Sequence, residues 1–372
     1  MILVWLLACS SSEAPPVAPV PPTAPRAAPV RVEPQAPARQ AIVVKPGERR
    51  EAWADARCND GTPFAYGYRP GTSDTWVINL SGGYFCEDQR SMCADRKPRL
   101  RTTVSTADGQ PTRMKRQGIF ATDPAINPTF ADAHHVDAHY CSSDLWVGTS
   151  LERQPNSADP DGWYFSGRRN VAVLLEALSE LHGLRDDPTT GVLLLGTSAG
   201  GAGVVGNLDQ VRAALPTVTE AGRLKVVLDG SWVADLPADV TPPDADRWGP
   251  LHRACAERLQ ADGVDPVRCV IGGQWWPHVE TSGVPVLVQI SGVDATQAPV
   301  FGIDTPAERA AWRQTVRTSL APVPWVFSGG HSYHVVAIDP LFDKGRSPNR
   351  FVDVLGAFWR DEEPRQVFFR YD

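Results

Sequence analysis

The sequence has no excess of lysine and arginine over acidic residues. It holds 36 Lys and Arg against 43 Asp and Glu in 372 residues, a formal net charge of −7. Because a phosphate backbone is bound through clustered basic residues, this balance excludes nucleic acid and anionic membrane surfaces as the main partner. The cysteines also lack CxxC or CxxxH spacing, so no zinc site is indicated.

The N-terminal run MILVWLLAC is apolar over only about eight residues, which is too short to span a bilayer as a helix. LLAC followed by serines is similar to a bacterial lipobox, which predicts a lipoprotein signal peptide over residues 1–8 and a lipidated Cys9. A Pro- and Ala-rich stretch follows and predicts an extended linker over residues 9–52. A frayed apolar tail is the alternative interpretation of the first residues.

Six cysteines remain after Cys9, an even number that predicts disulfides in an exported protein. They are Cys58, Cys86, Cys93, Cys141, Cys255 and Cys269. The short loops 86–93 and 255–269 are the easiest to close, which leaves Cys58 for Cys141. Six buried thiols are the alternative.

From residue 53 to residue 372 the pattern predicts one domain in which strands alternate with helices. Strands are predicted at TWVINLSGG (75–83), GVLLL (191–195), LKVVLDG (224–230), VPVLVQISG (284–292) and PWVFSGG (324–330). Helices are predicted at 170–181, 202–215 and 308–320. This alternation indicates an α/β fold, a mostly parallel sheet flanked by helices, with ligands beyond the carboxyl ends of the strands.

The stretch GTSAG places Ser198 between a predicted strand and a predicted helix, as in a nucleophile elbow. Gly196 and Gly200 provide the room that such a sharp turn needs. The same region also contains GAGVVG (201–206), a GxGxxG pattern followed by Asp229 at the next strand end, which is the alternative of a dinucleotide site. Five residues separate that pattern from the strand, which disfavours the alternative; a plain structural turn is the third possibility.

A serine nucleophile requires a base, an acid and oxyanion donors. α/β-Hydrolases place them in the order Ser, acid, His, and Asp294, His331 and His334 follow late strands in that order. The amide of Ala199, together with Gly83 and Tyr84 of an earlier glycine loop, is predicted to form the oxyanion hole. A second group, His134, His135 and His139, precedes Ser198 and is a weaker candidate for the base or for a metal site.

These residues belong to a longer pattern. The runs WVINLSGGYFCEDQRSMCADR, INPTFADAHHVDAHYCSSDLWVG, GTSAGG, QISGVDATQ and VPWVFSGGHSYH resemble the pectin acetylesterase family, which includes Notum-like deacylases, over roughly residues 53–340. The resemblance implies an α/β-hydrolase fold and a triad of Ser198, Asp294 and His334. His331 then becomes the alternative base.

The resemblance implies a serine carboxylesterase that removes acyl groups, O-acetyl above all, from carbohydrate. No metal or cofactor is expected, and the partner is an acylated carbohydrate or small ester bound by a monomer. Four aromatic residues are candidates for stacking on sugar rings, with packing beside the cleft as the favoured alternative: Trp163, Tyr164, Trp275 and Trp276. A fatty-acyl deacylase and an inactive glycan-binding hydrolase fold are the alternatives. The protein is expected to be exported, either lipid-anchored in a bacterial cell envelope, at the outer membrane or cell surface, or secreted.

Overall fold

The computed structural model describes residues 41–83, 85, 114, 116–156, 159–234, 257–263, 269, 272–345 and 349–369. The strands are β1 Ile42–Val44, β2 Tyr66–Arg69, β3 Thr75–Leu80, β4 His134–Ala138, β5 Ser150–Asn156, β6 Asp159–Phe165, β7 Gly191–Thr197, β8 Leu224–Asp229, β9 Val286–Gln289, β10 Trp325–Ser328 and β11 Gln366–Phe368. The helices are α1 Gly167–His182, α2 Ala199–Ala214, α3 Pro216–Glu220, α4 Gly272–Glu280, α5 Gln297–Val300, α6 Pro306–Ser319 and α7 Phe351–Trp359.

In the described part of the chain the strands form one nine-stranded sheet and one two-stranded hairpin. The sheet order is β1-β2-β4-β3-β7-β8-β9-β10-β11, and the hairpin pairs β5 with β6. From β4 through to β11 every neighbouring pair is parallel, while β1 and β2 are antiparallel additions at one edge. The predicted mostly parallel α/β sheet is confirmed.

Helices cover both faces of this sheet, as its composition requires. Strand β7 is apolar on both faces and fully buried, which is the pattern of a parallel strand between two helical layers. Val192 and Leu194 pack in a cluster with residues of α1 and α2. Leu193 and Leu195 point the other way, into a second cluster that includes one face of α7. The carboxyl end of β7 is thereby fixed between two packed layers.

The folded body includes residues before the predicted domain boundary at residue 53. Strand β1 pairs with β2 in the register Ile42↔Tyr68 to Val44↔Tyr66, and Trp53 is buried with its indole N–H on Glu176 of α1. Residues 42–52 therefore belong to the folded body and not to the linker, because a backbone pairing and a buried turn anchor them. The predicted signal peptide (1–8) and Cys9 lie outside the described residues.

The histidine-rich segment after residue 132 forms a strand. His134 and His135 are neighbours in β4, so their side chains point to opposite faces of the sheet. His135 contacts Arg69 and the carbonyl oxygen of Phe130, while His134 contacts Tyr68. The two histidines cannot share one ion from this position, and among the described residues no group of His, Cys, Asp and Glu is arranged to hold a metal.

Candidate active site

Ser198 lies at the turn that joins β7 to α2. Its backbone has φ 55° and ψ −124°, a conformation that costs a non-glycine residue about 1–3 kcal/mol. The turn is crowded, since a side chain on Gly200 would collide with the carbonyl oxygen of Leu80 and one on Gly201 with Ser231. The glycines predicted to make room for the turn are therefore required by its geometry, and the turn has the backbone geometry of a nucleophile elbow.

The rival pattern GAGVVG falls inside α2 and not in a loop before it. A dinucleotide fingerprint needs its first glycine between strand and helix, where the pyrophosphate meets the first amides of the helix. Here those glycines instead pack closely against other elements; Gly203, for instance, lies against Trp146. The geometry does not provide the dinucleotide site.

His334 lies between Ser198 and Asp294. Its Nε2 is 2.7 Å from the Ser198 Oγ, and its Nδ1 is 2.6 Å from the Asp294 Oδ2. A carboxylate oxygen can only accept, so Nδ1 carries the hydrogen and Nε2 is left to accept from the serine hydroxyl. The other oxygen of Asp294 accepts from the amides of Thr296 and Gln297 at 2.7 and 3.0 Å, which fixes the carboxylate.

His331, the alternative base, occupies a different environment. Its side chain packs against Gly329 and Tyr333, and burial lowers the pKa of its imidazole. Its carbonyl oxygen accepts a hydrogen bond from Ser291, which ties the histidine-bearing segment to the end of β9. The histidine beside Ser198 is therefore His334.

The glycine loop after β3 lies directly beside the elbow. A side chain on Gly82 would meet the carbonyl oxygen of Thr197 and, at 2.6 Å, the Cβ of Ser198. The Gly82 amide donates to the Thr197 Oγ1 at 3.2 Å. Ala199 begins α2, where the first-turn amides have no partner within the helix. Gly82 and Ala199 thus lie on two sides of Ser198; Gly83 follows Gly82 in the same loop, and Tyr84 lies outside the described residues.

Asp229 ends β8 next to the elbow and is fully buried. Burial raises the pKa of its carboxyl to about 7, against the lowering effect of the Val336 and Ala337 amides. Asp144 is a second acid, largely but not completely buried, with its pKa raised by burial to about 6. Sequence reasoning missed the roles of both residues, because Asp229 binds amides 107 and 108 residues away, and Asp144 binds the Gly167 amide 23 residues away besides the nearby Trp146 amide.

The cysteine predictions are only partly within the described residues. Cys58 and Cys141 form the predicted disulfide, which joins two residues 83 positions apart in the sequence. Cys269 is also disulfide-bonded, while its predicted partner Cys255 and the predicted pair Cys86 and Cys93 lie outside the described residues.

The sugar-stacking candidates are wrong for three of the four aromatics. Trp163, Trp275 and Trp276 are at most 5% exposed, and Trp275 and Trp276 pack against Trp232 in the main core cluster. Tyr164 is partly exposed but has Arg57 and Arg153 near its ring faces, at 5.3 and 5.2 Å from the centroid. The stacking prediction failed for these three because tryptophan occurs both in protein cores and at binding surfaces, and the sequence does not distinguish the two.

The fold and the elbow define an α/β-hydrolase-like protein with a serine, a histidine and an aspartate in one hydrogen-bonded chain. A family model described as Pectinacetylesterase matches residues 48–241, just over half of the sequence. The chain belongs to the pectinacetylesterase family, a family of carboxylic ester hydrolases.

Relatives of known activity are the palmitoleoyl-protein carboxylesterases called NOTUM. The Drosophila melanogaster protein is 32% identical over 292 residues, which is 73% of this chain and 42% of that protein. The human protein is 33% identical over 180 residues, 48% of this chain and 34% of that protein. The chain thus spans less than half the length of these curated relatives.

The fold is shared with solved structures of the Wnt deacylase Notum from Drosophila. One crystal form superposes with a TM-score of 0.70 at 27% identity, covering 89% of this chain and 96% of that one. A second gives the same TM-score at 24% identity, over 90% and 97% of the two chains. These likenesses support the parallel sheet and its helical layers as a hydrolase fold.

Proposed function

We propose that this protein is a serine carboxylesterase that removes O-acetyl groups from carbohydrate. The observation that carries the proposal is the unbroken contact from Ser198 Oγ to His334 Nε2, and from His334 Nδ1 to Asp294 Oδ2, at 2.7 and 2.6 Å. A serine on a strained elbow, with a base and an orienting acid in reach, is the arrangement needed for acyl transfer.

In this mechanism the Ser198 Oγ attacks the ester carbonyl carbon while His334 Nε2 takes the hydroxyl proton. The carbonyl oxygen becomes the oxyanion of a tetrahedral intermediate, which accepts hydrogen bonds from the amide of Ala199 and from those of the glycine loop, where Gly83 and Tyr84 are the candidates. Collapse breaks the bond to the alcohol oxygen, which receives the proton from His334. Water then attacks the acyl-enzyme by the same route in reverse, and Asp294 fixes the imidazole throughout.

The acetyl group and the carbohydrate alcohol come from the family, whose description names pectin acetyl esters. The partly exposed ring of Tyr164 is the one sugar-stacking candidate left among the four aromatics, because the other three are buried. The substrate class therefore rests on family membership and not on the aromatic residues.

A fatty-acyl deacylase is the second candidate. It is favoured by the relatives named palmitoleoyl-protein carboxylesterase, at 32% identity over 73% of this chain. The two candidates share the same chemistry at Ser198 and differ in the length of the acyl chain that the site admits. An acyl pocket deep enough for a long chain is the feature that separates them.

The test is turnover of p-nitrophenyl acetate, butyrate and octanoate by the full-length, disulfide-intact protein. The acetylesterase proposal predicts that kcat/KM falls steeply from acetate to octanoate, while a fatty-acyl deacylase gives the opposite order. Acetylated pectin and an acylated peptide then serve as natural substrates. If none of the esters is hydrolysed faster by the wild type than by Ser198→Ala, the glycan-binding alternative is left.

We also propose that the protein acts outside the cytosol. The Cys58–Cys141 disulfide supports export, since disulfides persist in oxidising compartments. A lipid anchor at Cys9 on a bacterial cell envelope, with a monomeric catalytic domain, is the finer proposal, and Cys9→Ala in a membrane fractionation tests it. Within the described ranges, no helix is both long and apolar enough to cross a bilayer.

A further inference from the structure

Asp229 is a buried acid that the proposed reaction does not use. It ends β8, one strand away from the elbow, and is 0% exposed. Its side chain does not reach toward a ligand, as a ribose-binding carboxylate would, but toward the main chain beyond His334. Burying a carboxylate costs free energy of folding unless amides or opposite charges interact with it. The groups that bind Asp229 therefore indicate its role.

The carboxylate of Asp229 holds the segment that follows His334. Oδ1 accepts from the Val336 amide at 3.0 Å, and Oδ2 accepts from the amides of Val336 and Ala337 at 3.0 and 2.8 Å. The next residue, Gly230, has φ 69° and approaches the carbonyl oxygen of His334 so closely that any Cβ would collide with it. The end of β8 therefore fixes the main chain on the C-terminal side of the histidine.

The backbone of the same residue holds the serine. The carbonyl oxygen of Asp229 accepts a hydrogen bond of 2.8 Å from the Ser198 amide. Ser198 and His334 are 136 residues apart in sequence, and Asp229 is bonded to the backbone of the first and to the segment of the second. Its main-chain carbonyl thus holds the backbone of Ser198, and its side-chain carboxylate holds the segment that follows His334.

We propose that Asp229 is a positioning residue that sets the distance between the Ser198 hydroxyl and the His334 imidazole. The proposal deepens the esterase function and rests on it. A carboxylate suits this task because both of its oxygens accept, and they face two successive amides. Asparagine has the same shape, but its NH₂ group would face an amide N–H, so one of the bonds is lost.

The carboxyl group of Asp229 also interacts electrostatically with His334. Burial, and to a smaller extent the negative charge of Asp294, raises the pKa of Asp229 to about 7, while the two amides and His334 lower it. Above that pH the carboxylate is ionised and interacts favourably with the positive charge that forms on His334 when it takes the serine proton. Asp294 makes the direct hydrogen bond to the His334 imidazole, so the electrostatic effect of Asp229 on that imidazole acts over a longer distance.

The test compares Asp229→Asn with wild type in the full-length, disulfide-intact protein, using p-nitrophenyl acetate. We expect kcat to fall about 100-fold, the effect of a small misplacement of a base, with KM changed less than about twofold because substrate binding is untouched. The matched control is Lys225→Met, at the other end of β8, where the buried ammonium donates to the carbonyls of Phe358 and Trp359. This variant is expected to lose stability but to keep kcat.

A spectroscopic readout separates positioning from general destabilisation. The hydrogen between His334 Nδ1 and Asp294 gives a downfield proton resonance, which we expect to shift or broaden in Asp229→Asn and to be unchanged in Lys225→Met. If Asp229→Asn does not fold, Gly230→Ala displaces the His334 carbonyl with the carboxylate intact, and the same loss of kcat is expected.

Two results would overturn the inference. One is a kcat for Asp229→Asn within about threefold of wild type, and the other is an equal loss of kcat in Lys225→Met. Ser198→Ala keeps this failure apart from failure of the esterase proposal. If Ser198→Ala is inactive while Asp229→Asn is fully active, only the positioning role is wrong; if Ser198→Ala retains turnover, the esterase mechanism itself is wrong.

Discussion

The indole Nε1–H of Trp146 donates a hydrogen bond of 3.0 Å to the carbonyl oxygen of Ser81. On the other side of the same peptide group, the Gly82 amide donates to the Thr197 Oγ1 at 3.2 Å. Both hydrogen-bonding groups of the peptide between Ser81 and Gly82 therefore have a partner: the carbonyl binds Trp146, and the amide binds Thr197.

The turn that carries Trp146 is itself strained. Ser143, Leu145 and Trp146 all have positive φ, at 53°, 56° and 67°. Hydrogen bonds from the Trp146 amide to Asp144 and from the Leu145 amide to the Tyr140 hydroxyl hold this conformation. Strain of this kind persists only where the surroundings fix it, and it concentrates at functional sites.

Removing the indole N–H should weaken catalysis without weakening substrate binding. Trp146→Phe keeps an aromatic ring but leaves the Ser81 carbonyl without this donor. The peptide between Ser81 and Gly82 is then fixed only by the hydrogen bond of the Gly82 amide to Thr197. We expect kcat for p-nitrophenyl acetate to fall about tenfold, with KM nearly unchanged. Trp53→Phe is the control, since it also removes a buried indole donor, there to Glu176, and should keep kcat.

Thr197 should act through its hydroxyl and not through its bulk. Thr197→Val retains the shape but removes the acceptor for the Gly82 amide, whereas Thr197→Ser retains the acceptor and loses only a methyl group. We expect kcat to drop about tenfold in the valine variant and to stay near wild type in the serine variant. Equal activities would show that the hydroxyl does not hold the loop.

The Cys58–Cys141 disulfide should make a large contribution to stability. It joins positions separated by 83 residues, and the loop-closure entropy of a cross-link of that length corresponds to about 4.5 kcal/mol. Urea unfolding of the oxidised wild type and of the double variant Cys58→Ala, Cys141→Ala should differ by about this free energy. An unchanged unfolding midpoint would contradict the prediction.

Stability should depend on pH through Asp144. Burial raises the pKa of its carboxyl from the ordinary value of 3.8 to about 6 in the folded protein. Between these pH values the folded state binds the proton that the unfolded state has released. The contribution of Asp144 is thus complete below about pH 4 and is lost as pH rises through about 6.

Urea unfolding of wild type and Asp144→Asn at a series of pH values measures this effect, because other groups cancel in the difference. The stability of the wild type relative to the variant should fall by up to about 3 kcal/mol from pH 4 to 7 and stay constant above. A difference that rises over this window, or does not change, would contradict the assigned direction.

The sequence predicted the elements whose pattern is local. Apolar runs located β3, β7, β8, β9 and β10, and the order of polar residues at their ends predicted that Asp294 and either His331 or His334 would meet Ser198. This worked because parallel strands bring their carboxyl ends to one edge of a sheet. The choice between His331 and His334 needed the family resemblance, since both follow the same strand.

Elements with polar sequences were missed. Strand β4 reads HHVDA and the hairpin β5–β6 contains several charges, so neither shows the apolar pattern of a buried strand. The roles of Asp229 and Trp146 were equally invisible, because their partners are 107 or 108 and 65 residues away in the chain. Such contacts exist only in the folded protein and leave no periodic signal.

The most direct test of Ser198 as the nucleophile is covalent labelling with a fluorophosphonate, followed by mass spectrometry of the peptides. The proposed mechanism predicts a single adduct on the Ser198 Oγ, no adduct in Ser198→Ala, and much slower labelling in His334→Ala, because the base activates the serine. No adduct on the folded, disulfide-intact protein, or an adduct on the neighbouring Ser231 instead, would contradict this role of Ser198.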